Sequence, residues 1–180
     1  MVAVVELENT PYYDNTCING TVATSQVRTG RNTASCFTAE TKVIMDDGSL
    51  KEISKVEIGD RVIGENGQIN NVIGLEVPKL GTRYLFSLNG GPFFVTAEHP
   101  FKTLRGWTSF DPSMTDHENP NLVSRKPMDI GDTLLRFDNE IEYLNGYQLK
   151  TDNKEMRVYN LLLDGNNTYY ANGYLVHNKP

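Results

Sequence analysis

Only two cysteines, Cys17 and Cys36, occur in 180 residues, too few for a disulfide framework, and no third completes a CxxC or four-ligand metal pattern. Each is therefore a free thiol unless its neighbours make it a nucleophile. Long apolar runs are also missing. The N-terminal "VAVV" is cut short by Glu6 and Glu8, which excludes a signal peptide or a transmembrane helix and gives cytoplasmic synthesis as the expectation. Basic residues are outnumbered, 17 Lys and Arg against 23 Asp and Glu, for a net charge of -6. The two signs are interspersed, so no basic stripe argues for nucleic acid or for an anionic membrane surface. Nor does any stretch keep a helical apolar period for three turns.

What remains is a chain that is 38% apolar, enough to bury one core. Residues 1 to 35 stand apart: "NGTVATSQVRTGRNTAS" is rich in Thr, Ser, Asn and Gly and reads as a flexible or extended leader. From Cys36 onward, short segments such as "TKVIM", "DRVIG", "RYLFSL", "PFFVTA", "VYNLLL" and "TYYANGYLV" carry β-branched and aromatic residues between Gly, Asn and Asp. Strands of that length with turn signals between them point to an all-β domain. "DDGS" and "ENGQ" supply the Asp-Gly and Asn-Gly pairs that tolerate the positive φ of tight hairpins.

The domain also repeats itself. "VEIGDRVIGENGQI" aligns with "MDIGDTLLRFDNEI", pairing Ile58 with Ile130, Gly59 with Gly131, Asp60 with Asp132 and Ile69 with Ile141. "YLFSLNGGPFFVTAEH" then aligns with "YNLLLDGNNTYYANGYLVH", pairing Tyr84 with Tyr159, Leu88 with Leu163 and Gly90 with Gly165. The two matches are collinear at nearly equal offsets, which argues for a duplication: one compact domain of two related halves, with His99 and His177 at comparable places.

Three groups of residues can carry chemistry. Cys36, in "TASCFTAET", sits where the leader becomes the domain. Buried cysteines are ordinarily inert, but a thiol at this boundary can act on its own preceding peptide bond. His99, in "TAEHPF", would be a hydrogen-bonded structural residue on its own. Beside a cysteine, an imidazole activates a thiol or protonates a leaving amine, and Thr96 is spaced to turn its hydroxyl or amide toward the same group. His177 and Asn178 lie next to the C-terminal Lys179 and Pro180, and an asparagine amide can cyclise onto its own carbonyl. His117, in the polar and loop-like "DPSMTDHENPN", has no such company. Cys36, His99 and His177 could instead supply a three-ligand zinc site, although the spacings are long and no supporting partner is legible.

These motifs resemble the Hint family of inteins, bacterial intein-like domains and Hedgehog autoprocessing domains. "CFTAETKVIMDDGSLKEISKVEIGD" resembles its N-terminal block, "FFVTAEHPF" its Thr-x-x-His block, and "RVYNLLLDGNNTYYANGYLVHN" its C-terminal blocks ending in His-Asn. The resemblance runs from residue 36 to residue 178, is nearest to the A-type bacterial intein-like domains, and implies a pseudo-two-fold all-β horseshoe with no endonuclease insertion. It implies that Cys36 attacks the Ser35 carbonyl, converting the peptide bond to a thioester. His99 assists the leaving nitrogen and Thr96 hydrogen-bonds there. Asn178 cyclises with help from His177 and cuts the bond to Lys179. No cofactor and no metal are implied. The partners are the chain's own flanking segments, with an external thiol or amine as acceptor and a monomer as the working form.

Three departures qualify the resemblance. Standard splicing needs Cys, Ser or Thr after the terminal Asn, and Lys179 is none of these. Asn160 and Asn167 stand where the family often has Asp and His, which removes two groups able to move protons. Two readings follow: self-cleavage at Ser35-Cys36 and Asn178-Lys179, or a β-rich binding or structural module that keeps the fold without the activity.

Overall fold

The computed structural model describes residues 12–18, 21–28, 35–123 and 126–178, the first two segments for their backbone alone and Glu118 without its side chain. The chain contains β1 (Tyr12–Ile18), β2 (Thr21–Arg28), β3 (Lys42–Ile44), β4 (Leu50–Glu52), β5 (Arg61–Ile63), β6 (Ile69–Glu76), β7 (Leu85–Leu88) and β8 (Phe93–Thr96). It continues with β9 (Phe101–Thr103), β10 (Gly106–Thr108), the helix α1 (Pro112–Glu118), β11 (Thr133–Leu135), β12 (Ile141–Tyr143), β13 (Tyr147–Lys150), β14 (Asn160–Leu163), β15 (Thr168–Ala171) and β16 (Tyr174–His177). One sheet runs β12-β11-β9-β16-β15-β3-β4, a second β1-β2-β6-β14, and β7 pairs with both β8 and β13 in a third. The all-β reading therefore holds, and the matched segments become matched strands.

The duplication is visible in backbone hydrogen bonds. The Gly59 N–H donates to Val72 O at 2.8 Å and the Gly131 N–H to Leu144 O at 2.9 Å. Val72 N–H donates to Asp60 O at 2.8 Å, and Leu144 N–H to Asp132 O at 2.9 Å. Both glycines need positive φ, 95° and 93°, a conformation that costs other residues steric energy. Even the aspartates do parallel work: Asp60 takes Lys51 at 2.6 Å and Asp132 takes Arg105 at 2.7 Å. Burial lines the same pattern, since Val62 on β5 and Leu134 on β11 are both 0% exposed.

In the second match, β7 and β14 are each buried at all four positions, as is β15, with β8 buried at three of its four. Strands covered on both faces lose the polar alternation of a half-exposed sheet. That explains why "LFSL", "NLLL" and "TYYA" read as short apolar runs. Phe37, Val95, Phe101, Leu161, Tyr169 and Val176 form the middle of this core, and each large apolar side chain so buried contributes about 1.5–3 kcal/mol.

Three details differ from expectation. The stretch around His117 is helical: Asp111 caps it by accepting from Met114 N–H at 3.1 Å, and Pro112 opens the first turn, where its missing N–H costs nothing. The two histidines do not occupy equivalent strand positions. His99 lies in the turn after β8, whereas His177 ends β16, one hairpin beyond β15. They meet because β9 pairs with β16 through Phe101 and Val176. Within the leader, β1 and β2 pair as an antiparallel hairpin, and β2 runs parallel to β6 with Gln26 opposite Gly74. Residues 1–11, 19–20 and 29–34 of that leader lie outside the described residues.

Candidate active site

Cys36 enters the fold fully buried. Its neighbour Phe37 fixes the chain between two partners, donating its N–H to Tyr159 O at 2.8 Å and accepting from Tyr159 N–H at 2.8 Å, with a further bridge to Val95. Thr96, at the end of β8, clamps Cys36 itself. The Cys36 N–H donates to Thr96 Oγ1 at 3.0 Å, and Thr96 N–H donates to Cys36 O at 3.0 Å. The nitrogen of the Ser35-Cys36 peptide bond is thus held from one side.

His99 is 0% exposed and packs against Phe37, with ring centroids 4.1 Å apart. Burial drives its pKa from 6.5 down to about 3, and the neighbouring His177 pushes the same way, while the Ser35 carbonyl beside the ring opposes both. Neither ring nitrogen makes a well-formed hydrogen bond. The imidazole is therefore neutral at ordinary pH and has a nitrogen available to a reacting group.

His177 is arranged in the same way around the other end. Burial lowers its pKa; the Asn178 backbone carbonyl and Glu65 act against that, and Lys102 with it. Trp107 meets the ring edge-on at 5.1 Å, and Lys102 both pairs with Glu65 at 3.0 Å and lies over Trp107 at 4.8 Å.

Asn178 is 0% exposed, and its position is over-determined. Its backbone N–H donates to Asn167 O at 2.7 Å. Its side-chain Oδ1 accepts from Asn160 Nδ2 at 2.5 Å, and its Nδ2 donates to Leu161 O. Asn160 is anchored in turn, because its Oδ1 accepts from Tyr169 OH at 3.0 Å and from Leu161 N–H at 3.0 Å. A donor on Oδ1 polarises the amide, and an acceptor on Nδ2 draws off its proton. The first makes the N–H more acidic and the second raises the electron density on nitrogen as that proton leaves, and together they fix the orientation of the amide.

The five side chains singled out from the sequence, Cys36, Thr96, His99, His177 and Asn178, all lie in or beside this buried centre. Ser35 is buried with them, and Lys179 lies outside the described residues. Among the described residues no cluster of three His, Cys, Asp or Glu is arranged to hold a metal ion. Sequence reasoning missed the work of Tyr169, and treated Asn160 only as a lost carboxylate. It also passed over Arg83 and Glu98, whose side chains form an ion pair at 3.0 Å with 13% and 4% exposure. Glu98 could have been flagged, lying inside "TAEHPF"; a single Arg in "LGTRYL" carries no pattern.

Comparison with known proteins bears on the fold that carries these residues. Residues 36–86 match the family model for the Hom_end-associated Hint domain. A bacterial intein-like domain from Clostridium thermocellum superposes with TM-score 0.62 at 24% identity, covering 79% of this chain and 98% of that one. The gp41-1 intein gives 0.59 at 23% identity over 80% and 98%, and a DnaB intein from Synechocystis gives 0.55 at 15% over 82% and 100%. The catalytic component of the V-type proton ATPase of Candida tropicalis is 48% identical over 40 residues, which is 22% of this chain and 4% of that protein's length. Residues 36–86 thus match a Hint family model, and the chain as a whole has the fold of these intein domains, without an inserted endonuclease.

Proposed function

We propose that residues 36–178 form a single-turnover self-processing domain acting on the peptide segments that flank it. The match of residues 36–86 to a Hint family model and the intein-like fold support autocatalytic processing in general. The finer steps rest on one relationship: the dipeptide Tyr159-Asn160 holds both reacting ends, Tyr159 through Phe37 beside Cys36 and Asn160 through the Asn178 side chain.

In the first step Cys36 Sγ attacks the Ser35 carbonyl carbon. The thiol proton passes to neutral His99, the C–S bond forms, and the C–N bond breaks as His99 returns the proton to the Cys36 nitrogen, leaving a thioester. Thr96 keeps that nitrogen oriented. In the second step Asn178 Nδ2 attacks its own backbone carbonyl, giving a succinimide, and the proton it loses ends on the leaving nitrogen of Lys179 with His177 as the carrier. Reactions of this kind gain mainly from fixed orientation and exclusion of water. Lys179 offers no side chain for ordinary splicing, so the thioester goes to water or to an external thiol or amine.

The test is a time course at neutral pH with and without dithiothreitol. Release of residues 1–35 that is accelerated by the thiol and lost in Cys36→Ala supports the reading; a chain that stays intact throughout overturns it in favour of an inert module.

A further inference from the structure

Beside Cys36 lies a cation that the steps above do not use. The turn containing Gly81, with φ of +66°, folds Arg83 back over the preceding residues. Its Nε donates to Leu80 O at 2.9 Å and its Nη2 to Lys79 O at 2.9 Å. Leu80 belongs to the small apolar cluster of Cys36, Leu85 and Val158, so the guanidinium is delivered to the thiol's own pocket. Its Nη1 donates to Glu98 Oε1 at 3.0 Å, and the cysteine side chain takes a further hydrogen bond from Arg83. Glu98 follows Thr96 by two residues, so the pair is built into the same turn that clamps Cys36.

The electrostatics run in the same direction. Burial works against the guanidinium, yet Cys36 and then Glu98 hold it charged, above its usual range. Burial pushes the Glu98 carboxyl up, against the pull of Arg83. A buried Arg sharing its charge between a carboxylate and a sulfur favours the thiolate.

Resting on the self-processing reading, we propose that Arg83 is a catalytic residue of the first step: it holds the negative charge on Cys36 Sγ while the thiol proton moves to His99, and Glu98 sets how much of the Arg83 charge the sulfur receives. No further reactant is needed. The proton that leaves sulfur passes through His99 to the Cys36 nitrogen, and Arg83 stays charged throughout.

The two members of the pair should act with opposite sign. In a Cys17→Ala background, stopped-flow pH jumps reading ultraviolet thiolate absorbance from about pH 5 to about pH 9 should show the Cys36 midpoint moving up in Arg83→Gln and down in Glu98→Gln. In parallel, thiol-induced release of residues 1–35 should slow about tenfold or more near neutral pH in Arg83→Gln, with the deficit narrowing as pH rises. Loss of a merely structural residue would slow release equally at every pH and would not shift the two midpoints in opposite directions. An unmoved or lowered midpoint in Arg83→Gln, or an unmoved or raised one in Glu98→Gln, overturns the proposal. Glu98→Gln carries the test if circular dichroism finds Arg83→Gln unfolded. A wild type that releases no leader would end the self-processing reading, while the absorbance titration would still report on the Arg83-sulfur contact.

Discussion

The side-chain amide of Asn160 donates to the side-chain carbonyl of Asn178 at 2.5 Å, and its own carbonyl is held by Tyr169 and Leu161. Asn160 is the position at which the Hint resemblance leads to an aspartate being expected. The asparagine supplies a donor instead, and the donor orients the amide whose nitrogen is proposed to attack.

It follows that Asn160→Ala should slow cleavage after Asn178 by about a hundredfold, the scale of a misplaced reacting group, while thiol-induced cleavage before Cys36 continues. Mass spectrometry of the two product sets over time separates these effects. Tyr169→Phe, which removes one of the two donors to Asn160 Oδ1, should cost about 1 kcal/mol in stability and slow the same cleavage by less than about tenfold.

Thr96→Val keeps the shape of β8 and removes the hydroxyl that accepts from Cys36 N–H. The buried N–H is then left without a partner, at a cost of about 1–3 kcal/mol. Denaturant melts should register that loss. Cleavage before Cys36 should fall and be restored in Thr96→Ser, with cleavage after Asn178 little changed.

His99 makes stability depend on pH. Burial, with His177, holds its folded pKa near 3 against 6.5 for the ordinary group, so the unfolded chain takes up a proton that the folded chain refuses. Stability is full above about pH 6.5 and is lost as pH falls toward about 3, by an amount on the order of several kcal/mol. Urea unfolding at about pH 7 and about pH 4 should show a smaller drop in His99→Gln than in wild type. An equal drop in both would mean that His99 is not buried neutral.

Much of this was legible in the sequence, for reasons that can be located. Gly59 and Gly131 need the same positive φ, and Asp60 and Asp132 accept the same backbone amides, so local chemistry forced the two halves to look alike. Cys36, Thr96, His99, His177 and Asn178 could be named because each sits in a short motif. Arg83, Glu98 and Tyr169 act through distances set by tertiary packing, with no spacing to betray them. Helix α1 escaped because seven residues hold only two turns of a period, and its evidence was the cap Asp111-Pro112. The positions of His99 and His177 relative to the repeat were misjudged, since β9–β16 pairing joins them across the halves.

One buried centre is proposed to cut the chain at two bonds. Intact mass of freshly prepared wild type beside Cys36→Ala and Asn178→Ala tests it most directly. Residues 1–35 should be lost in wild type and Asn178→Ala but not in Cys36→Ala, and Lys179-Pro180 should be lost in wild type and Cys36→Ala but not in Asn178→Ala. Full-length mass in all three proteins after prolonged incubation with thiol would contradict it.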